Sequence, residues 1–212
     1  MLSGRRLDLL DPSPLDIEIT DIAHGLARVA RWNGQTVGDH AFSVAQHSLV
    51  VEKIISARLD DPRWRLAALL HDGPEYVIGD MISPFKAILG GDYKGVEARL
   101  QRVIHIRFGL PADLPTDITK AIKAADRVSA HAEAIGLAGF TEEEANMFFG
   151  RPGRQRIDPA SLVPLPAKEA QTRFLETFSA VDGLCLEAAR ASPATSLGQD
   201  ALADTALPAQ EG

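Results

Sequence analysis

His71 and Asp72 close the apolar run Ala67-Ala-Leu-Leu70, a position where two hydrophilic, metal-competent side chains need a reason. An isolated carboxylate facing a core is costly unless it is paired or coordinates a cation. Two further residues have the same character. His47 sits in Val44-Ala-Gln-His-Ser-Leu-Val-Val51, an otherwise apolar helical segment, and Asp126 ends Ala121-Ile-Lys-Ala-Ala-Asp126. Two imidazoles and two carboxylates from three helices would form a mixed nitrogen and oxygen site, better suited to Mn, Co, Fe, Ni or Zn than to Ca. Blander readings stay open at this level. His71 would equally serve as a histidine satisfied in the core, with Asp72 capping a helix that starts at Pro74. A His-Asp dipeptide alone is too common by chance to decide between them.

Helices are expected to position these residues almost throughout. Ile22, Leu26 and Val29 behind Thr20 and Asp21 predict a helix as far as Trp32, where Asn33-Gly34 breaks it. Phe42, Leu49, Val50 and Ile54 predict a second, over about 41–57. Asp61-Pro62 starts a third that carries Leu66, Leu69 and Leu70 into His71-Asp72, where Gly73-Pro74 interrupts it. Gly79-Asp80 and Ser83-Pro84 suggest an irregular stretch before a long amphipathic helix over about 93–108. After a linker, Pro111 to Pro115, a helix from Thr116 leads into Asp126. Gly136, Gly139 and Arg151-Pro-Gly loosen the chain, and a last helix spans about 167–191. Strand alternation is nearly absent, so the fold class is all-α, a compact single domain over residues 1–190. Residues 191–212, rich in Ala, Ser, Pro and Gly and without an aromatic, read as a disordered tail.

Composition narrows the function classes. The chain has 212 residues, 45% hydrophobic and 24% charged, as in an ordinary soluble globular protein. A net charge of −7 opposes binding to a nucleic acid polymer and favours a small-molecule substrate. Cys185 is the single cysteine, so no internal disulfide and no four-cysteine zinc site can form. The segment Met1 to Asp11 has two arginines but no long apolar run, and no stretch of about 18 apolar residues occurs, so neither a secretory leader nor a membrane span is expected. A cytoplasmic, reducing location is the expected setting.

The order His47, His71-Asp72, Asp126 resembles the H…HD…D signature of the HD-domain phosphohydrolases, and most closely their bacterial 5′-deoxynucleotidase subgroup. Arg31-Trp32 matches an Arg-Trp pair of that subgroup, and Gln46-His-Ser-Leu49 resembles the segment around its first histidine. His71-Asp-Gly-Pro-Glu75, Gly79-Asp80 and Ser83-Pro84-Phe-Lys86 follow its H-D-x-x-E, G-D and Ser/Thr-Pro-x-Lys in order and spacing. Lys123-Ala-Ala-Asp126 resembles the segment of its last aspartate, and the likeness extends from about Asp21 to Ala138.

The resemblance implies one divalent ion (Co, Mn, Zn, Fe, Ni or Mg) held by His47, His71, Asp72 and Asp126. Such an ion lowers the pKa of a water and neutralises phosphate charge. It also implies that Glu75 is the catalytic proton-transfer residue and that Arg31 binds phosphate through its guanidinium fork. Trp32 would crowd the 2′ position of the sugar, and Asp80 would accept its 3′-hydroxyl. Simpler roles remain for each: Arg31 as a cation at a helix C-terminus, Trp32 as core packing, Glu75 as a solvated first-turn acid, Asp80 as a turn residue. Two departures stand out. Only 24 residues separate His47 from His71, shorter than in that subgroup, and Pro74 threatens to kink the helix that carries Glu75.

His40 lies seven residues before His47, two helical turns away, and competes for the same face. The Gln-His-Ser-Leu match favours His47 and leaves His40 as a candidate for supporting the substrate or a ligand. His24, His105 and His131 read as structural or surface residues. The function implied is removal of the 5′-phosphate from deoxynucleoside monophosphates, by a homodimer. A deoxynucleoside triphosphate hydrolase on the same site, with Lys86 and Lys123 at its mouth, and a non-catalytic nucleotide-binding HD module are the rivals.

Overall fold

The computed structural model describes residues 1–82, 88, 91–153 and 155–191. Among these residues it is helical, without a strand. The helices are α1 (Ile19–Leu26), α2 (Val44–Ser56), α3 (Pro62–Leu69), α4 (Glu75–Ile78), α5 (Gly91–Arg107), α6 (Thr116–Gly136), α7 (Glu142–Phe149) and α8 (Ala167–Ala191). The all-α expectation therefore holds. Ser83, Pro84, Phe85 and Lys86, and residues 192–212 of the tail expected over 191–212, lie outside the described residues, while Ala191 ends α8.

α2 is the central element. Ser43 caps it by accepting from the Gln46 amide, and ten of its thirteen residues are buried, leaving only the narrow stripe Leu49, Lys53 and Ser56 toward solvent. A helix buried on most sides must be surrounded, and α1, α3, α6 and α8 pack around it. Gln46 makes one of its inward polar contacts. Its amide donates to the Val163 carbonyl at 2.9 Å and accepts from the Leu165 amide at 3.0 Å, fastening the segment before α8. α3 starts where expected, with Asp61 accepting from the Arg63 amide and Pro62 in the first turn. Only residues 57–61 join α2 to α3, which accounts for the short spacing between His47 and His71.

Three departures from the periodicity reading stand out. α1 stops at Leu26 rather than Trp32. Val29 continues the apolar spacing but uses its carbonyl to accept from the Val44 amide at 3.0 Å, and Arg31 N–H donates to the Phe42 carbonyl at 2.8 Å. These bonds form an isolated antiparallel bridge, Ala30 to Ser43. Trp32 and Asn33 then adopt left-handed backbone angles, φ 56° and 52°, which end any right-handed helix. Next, α6 runs ten residues beyond Asp126, to Gly136. Finally, α7 has no counterpart in the periodicity reading, although Thr141 and Glu144 form a reciprocal capping box at its start.

α1 packs closely on α4, the helix that follows His71-Asp72. Gly25 makes this possible: a Cβ there would lie 2.7 Å from both the Cβ and the carbonyl oxygen of Tyr76. Because one obstacle is backbone, Gly25→Ala is expected to cost about 1–3 kcal/mol as an overpacking change. For a chain of this size that lowers Tm by roughly 2–12 °C, read by thermal unfolding. An unchanged Tm would mean that α1 and α4 can separate at little cost.

Candidate metal centre and active site

His47 projects from the first turn of α2 with no solvent exposure. Its Nδ1 donates to Glu133 Oε1 at 2.5 Å. The far nitrogen, Nε2, therefore carries a lone pair when the ring is neutral, and it lies 3.2 Å from Asp126 Oδ1 and 3.6 Å from Asp72 Oδ2. His71 repeats the arrangement from the turn after α3. Its Nδ1 donates to the Ala68 carbonyl at 2.8 Å, and its Nε2 lies 3.3 Å from Asp72 Oδ2. His71 and Asp72 thus stand in the α3–α4 turn rather than on a helix, and Asp72 does not cap α4, whose N-terminus has no side-chain cap. Asp126 comes from the middle of α6.

The donor set fits a divalent cation. Both Nε2 atoms are buried without a hydrogen-bond partner among the described residues. One donor atom each from His47, His71 and Asp126 lies within 4.8 Å of the others. Ligands about 2.0–2.2 Å from one ion stand roughly 3–4 Å from each other, and the imidazole-to-carboxylate distances of 3.2, 3.3 and 3.6 Å fall in that range. Each imidazole has its second nitrogen fixed by an oxygen acceptor, the usual support for a metal-bound histidine.

The electrostatics point the same way. Burial and Arg31 push the His47 imidazole down, but Glu133 and Asp126 outweigh them and raise it to about 10. Burial pushes the Asp72 and Asp126 carboxyls up, yet the two histidines prevail and hold both below the usual carboxylate range. The pocket demands positive charge, and a divalent ion meets that demand while leaving His47 neutral.

Sequence reasoning missed Glu133. This carboxylate is fully buried and accepts four hydrogen bonds. Oε1 takes His47 Nδ1 and Ser129 Oγ, the latter at 2.7 Å, while Oε2 takes Trp32 Nε1 at 3.0 Å and Arg31 Nε at 3.2 Å. Its carboxyl is held well below the ordinary range, burial being outweighed by His47 and Arg31. A signal existed: Glu133 follows Asp126 by seven residues, two turns along one helix, within the small-residue stretch Ala130-His-Ala-Glu-Ala134.

The other expected residues divide. Arg31 is not a helix C-terminal cation; it bonds Glu133 and reaches Asp80 Oδ2 at 3.4 Å, with Asp72 and Asp126 close enough to raise it further. Trp32 packs on Phe140 and Phe149, ring centroids 5.6 and 5.8 Å away. Glu75 opens α4, with Pro74 as its cap residue rather than a kink, and is buried, not solvated. His40 is exposed. The helix it would have shared with His47 begins only at Val44, so the two-turn spacing does not bring the pair onto one face. His105 and His131 are buried structural residues, bonded to the Ala112 carbonyl and to Asn146.

Two cavities reach the candidate ligands. One of about 370 Å³ is lined by His71, Asp72 and Asp126 together with Gln101, His105 and Lys123. A second, of about 240 Å³, shares His71, Asp72 and Gln101 and adds Glu75 and Lys94. Arg31, Trp32 and Asp80 line neither.

Residues 22–149 match the family model described as 5′-deoxynucleotidase YfbR-like. The chain belongs to the YfbR-like 5′-deoxynucleotidase family. As a member of this family it is a metal-dependent phosphohydrolase of the HD type that uses a divalent ion. The YfbR-like span runs from α1 to the end of α7 and contains every residue of the constellation, Glu133 included. An uncharacterized protein of Rhodobacter capsulatus is 58% identical over 177 residues, covering 82% of this chain and 90% of that protein. The uncharacterized protein YfdR of Escherichia coli is 28% identical over 166 residues, 77% of this chain and 84% of that one. No described helix of this YfbR-like chain is long and apolar enough to cross a membrane.

Proposed function

We propose that the protein removes the 5′-phosphate from deoxynucleoside monophosphates, with Asp72 completing a ligand set of His47, His71, Asp72 and Asp126. The observation that carries this reading is the pair of buried imidazole Nε2 atoms, without a hydrogen-bond partner among the described residues and facing two carboxylates, with buried Glu75 lining a cavity that His71 and Asp72 also border. When bound, the ion supplies charge neutralisation and activation of water. The chain supplies the rest. Arg31, braced at Nε by Glu133, turns Nη1 to Asp80, and a phosphate would compete with Asp80 for that nitrogen. Glu75 moves the proton in the scissile step. Asp80, released from Arg31, accepts the 3′-hydroxyl. A homodimer and a cytoplasmic location belong to the same reading, and light scattering after size exclusion tests the first.

Trp32 sets the sugar preference in this reading. Its left-handed backbone, indole bond to Glu133 and packing on Phe140 and Phe149 fix a large ring immediately beside Arg31. A rigid apolar wall leaves a 2′-hydroxyl without space or partner. Trp32→Ala is expected to raise ribonucleotide turnover relative to deoxynucleotide turnover, whereas Arg31→Ala depresses both alike. Comparison of kcat/KM for matched deoxy and ribo 5′-monophosphates checks this, and an unchanged ratio in folded Trp32→Ala would leave the indole as packing alone.

One observation favours a triphosphate substrate: exposed Lys123 and Arg102 line the larger cavity. Arg102, however, is engaged with Asp113 at 2.8 Å. Hydrolysis of a panel of ribo- and deoxynucleotides with added metal decides. Release of phosphate from deoxynucleoside monophosphates supports the proposal. Triphosphate release from deoxynucleoside triphosphates supports the second reading, and metal binding without turnover supports a nucleotide-binding module.

A further inference from the structure

We propose that Glu133 is a positioning residue that serves metal binding with one oxygen and sugar recognition with the other. The sugar half rests on the function proposed above; the metal half does not. Glu133 stands at the meeting point of three separate pieces of chain: α6, which carries it; α2, which carries His47; and the Arg31–Trp32 turn between α1 and α2. That turn is one short 3-10 turn, Arg31–Gly34, entered from the bridge at Ala30. Beyond the bridge, the indole N–H and the guanidinium Nε both end on Glu133 Oε2.

The two oxygens have distinct tasks. Oε1 accepts from His47 Nδ1, which compels the neutral imidazole to present its lone pair at Nε2, toward Asp72 and Asp126. Oε2 orients Trp32 and Arg31. Four donors converge on one group, and only a carboxylate accepts on both ends; a glutamine would have one accepting oxygen and one donating amide. Repulsion between that amide and the Arg31 guanidinium turns the glutamine oxygen toward Arg31 and Trp32. The amide then faces His47, favours the tautomer protonated at Nε2, and blocks the ligand atom. Ser129 Oγ can rotate to accept, so His47 bears the loss.

The two halves therefore separate by variant. Glu133→Gln is expected to weaken metal binding by about 10–100-fold, the usual effect of losing such a support, while largely keeping the deoxy-over-ribo ratio. Glu133→Ala is expected to weaken metal binding similarly and also narrow the ratio. Trp32→Phe, which keeps the ring but loses the N–H, is expected to narrow the ratio with metal affinity unchanged. Calorimetric titration of each folded protein with Mn²⁺ alone reads the first half without any substrate, and matched kcat/KM values read the second. Circular dichroism and Tm establish folding, and a purely structural Glu133 would lower Tm while moving neither readout. A folded Glu133→Gln protein with wild-type Mn²⁺ affinity overturns the metal half. Wild-type sugar ratios in Trp32→Phe overturn the sugar half, and neither outcome depends on Glu133→Ala folding. Absence of nucleotide turnover in the wild type overturns the proposed function and the sugar half with it, and leaves the titration to decide the metal half.

Discussion

Asp72→Ala is expected to empty the metal centre and abolish turnover. Asp72 Oδ2 faces both orphaned imidazole nitrogens, at 3.3 Å from His71 and 3.6 Å from His47. Its loss leaves Asp126 as the only anion among the proposed ligands, half the charge needed to offset a dication, and an undercoordinated ion dissociates. The fold should survive, because the turn is held by backbone bonds, including Glu75 N–H to the Asp72 carbonyl at 3.0 Å. Elemental analysis and turnover assays on the purified variant check the outcome together. Full metal occupancy with normal turnover would remove Asp72 from the site.

Glu75→Ala separates chemistry from metal. Glu75 is 3% exposed, opens α4, and lines the smaller cavity beside His71 and Asp72 without belonging to the proposed ligand set. Metal content is expected to stay at the wild-type level while the rate falls by about 10²–10⁴, the usual worth of a positioned acid or base. The contrast between the two variants is the informative result. A Glu75→Ala enzyme of wild-type rate would assign the proton transfer to another group.

Local chemistry made much of the centre legible. Polar side chains at the ends or in the middle of apolar runs, as at His47, His71-Asp72 and Asp126, announce a compensating partner even before any fold is known. Helices followed from spacing wherever the core faced one side, and α3 and α8 lie close to their expected limits. What escaped was set by contacts distant in sequence. Val29 obeys helical spacing, yet its carbonyl bonds the Val44 amide, which no local propensity encodes. Glu133 is 102 residues from Arg31 and 86 from His47, so only the assembled bundle shows why a buried acid is tolerated. His40 failed for a local reason: two-turn spacing aligns side chains only within a helix, and none joins His40 to His47. The α7 capping box, by contrast, is readable in the sequence alone.

The two imidazoles are backed differently, and this gives the proposed centre a fixed side and a labile side. His47 leans on a carboxylate, has no exposed surface and lines neither cavity. His71 leans on a neutral peptide carbonyl, keeps 11% of its side chain exposed and borders both cavities. A carboxylate raises the basicity of the ring behind which it stands more than a carbonyl does. Loading and exchange of an ion would then proceed through the His71 doorway, with His47 as the last ligand to let go. A chelator small enough to enter beside Gln101 should strip the protein faster than a bulky one of equal affinity.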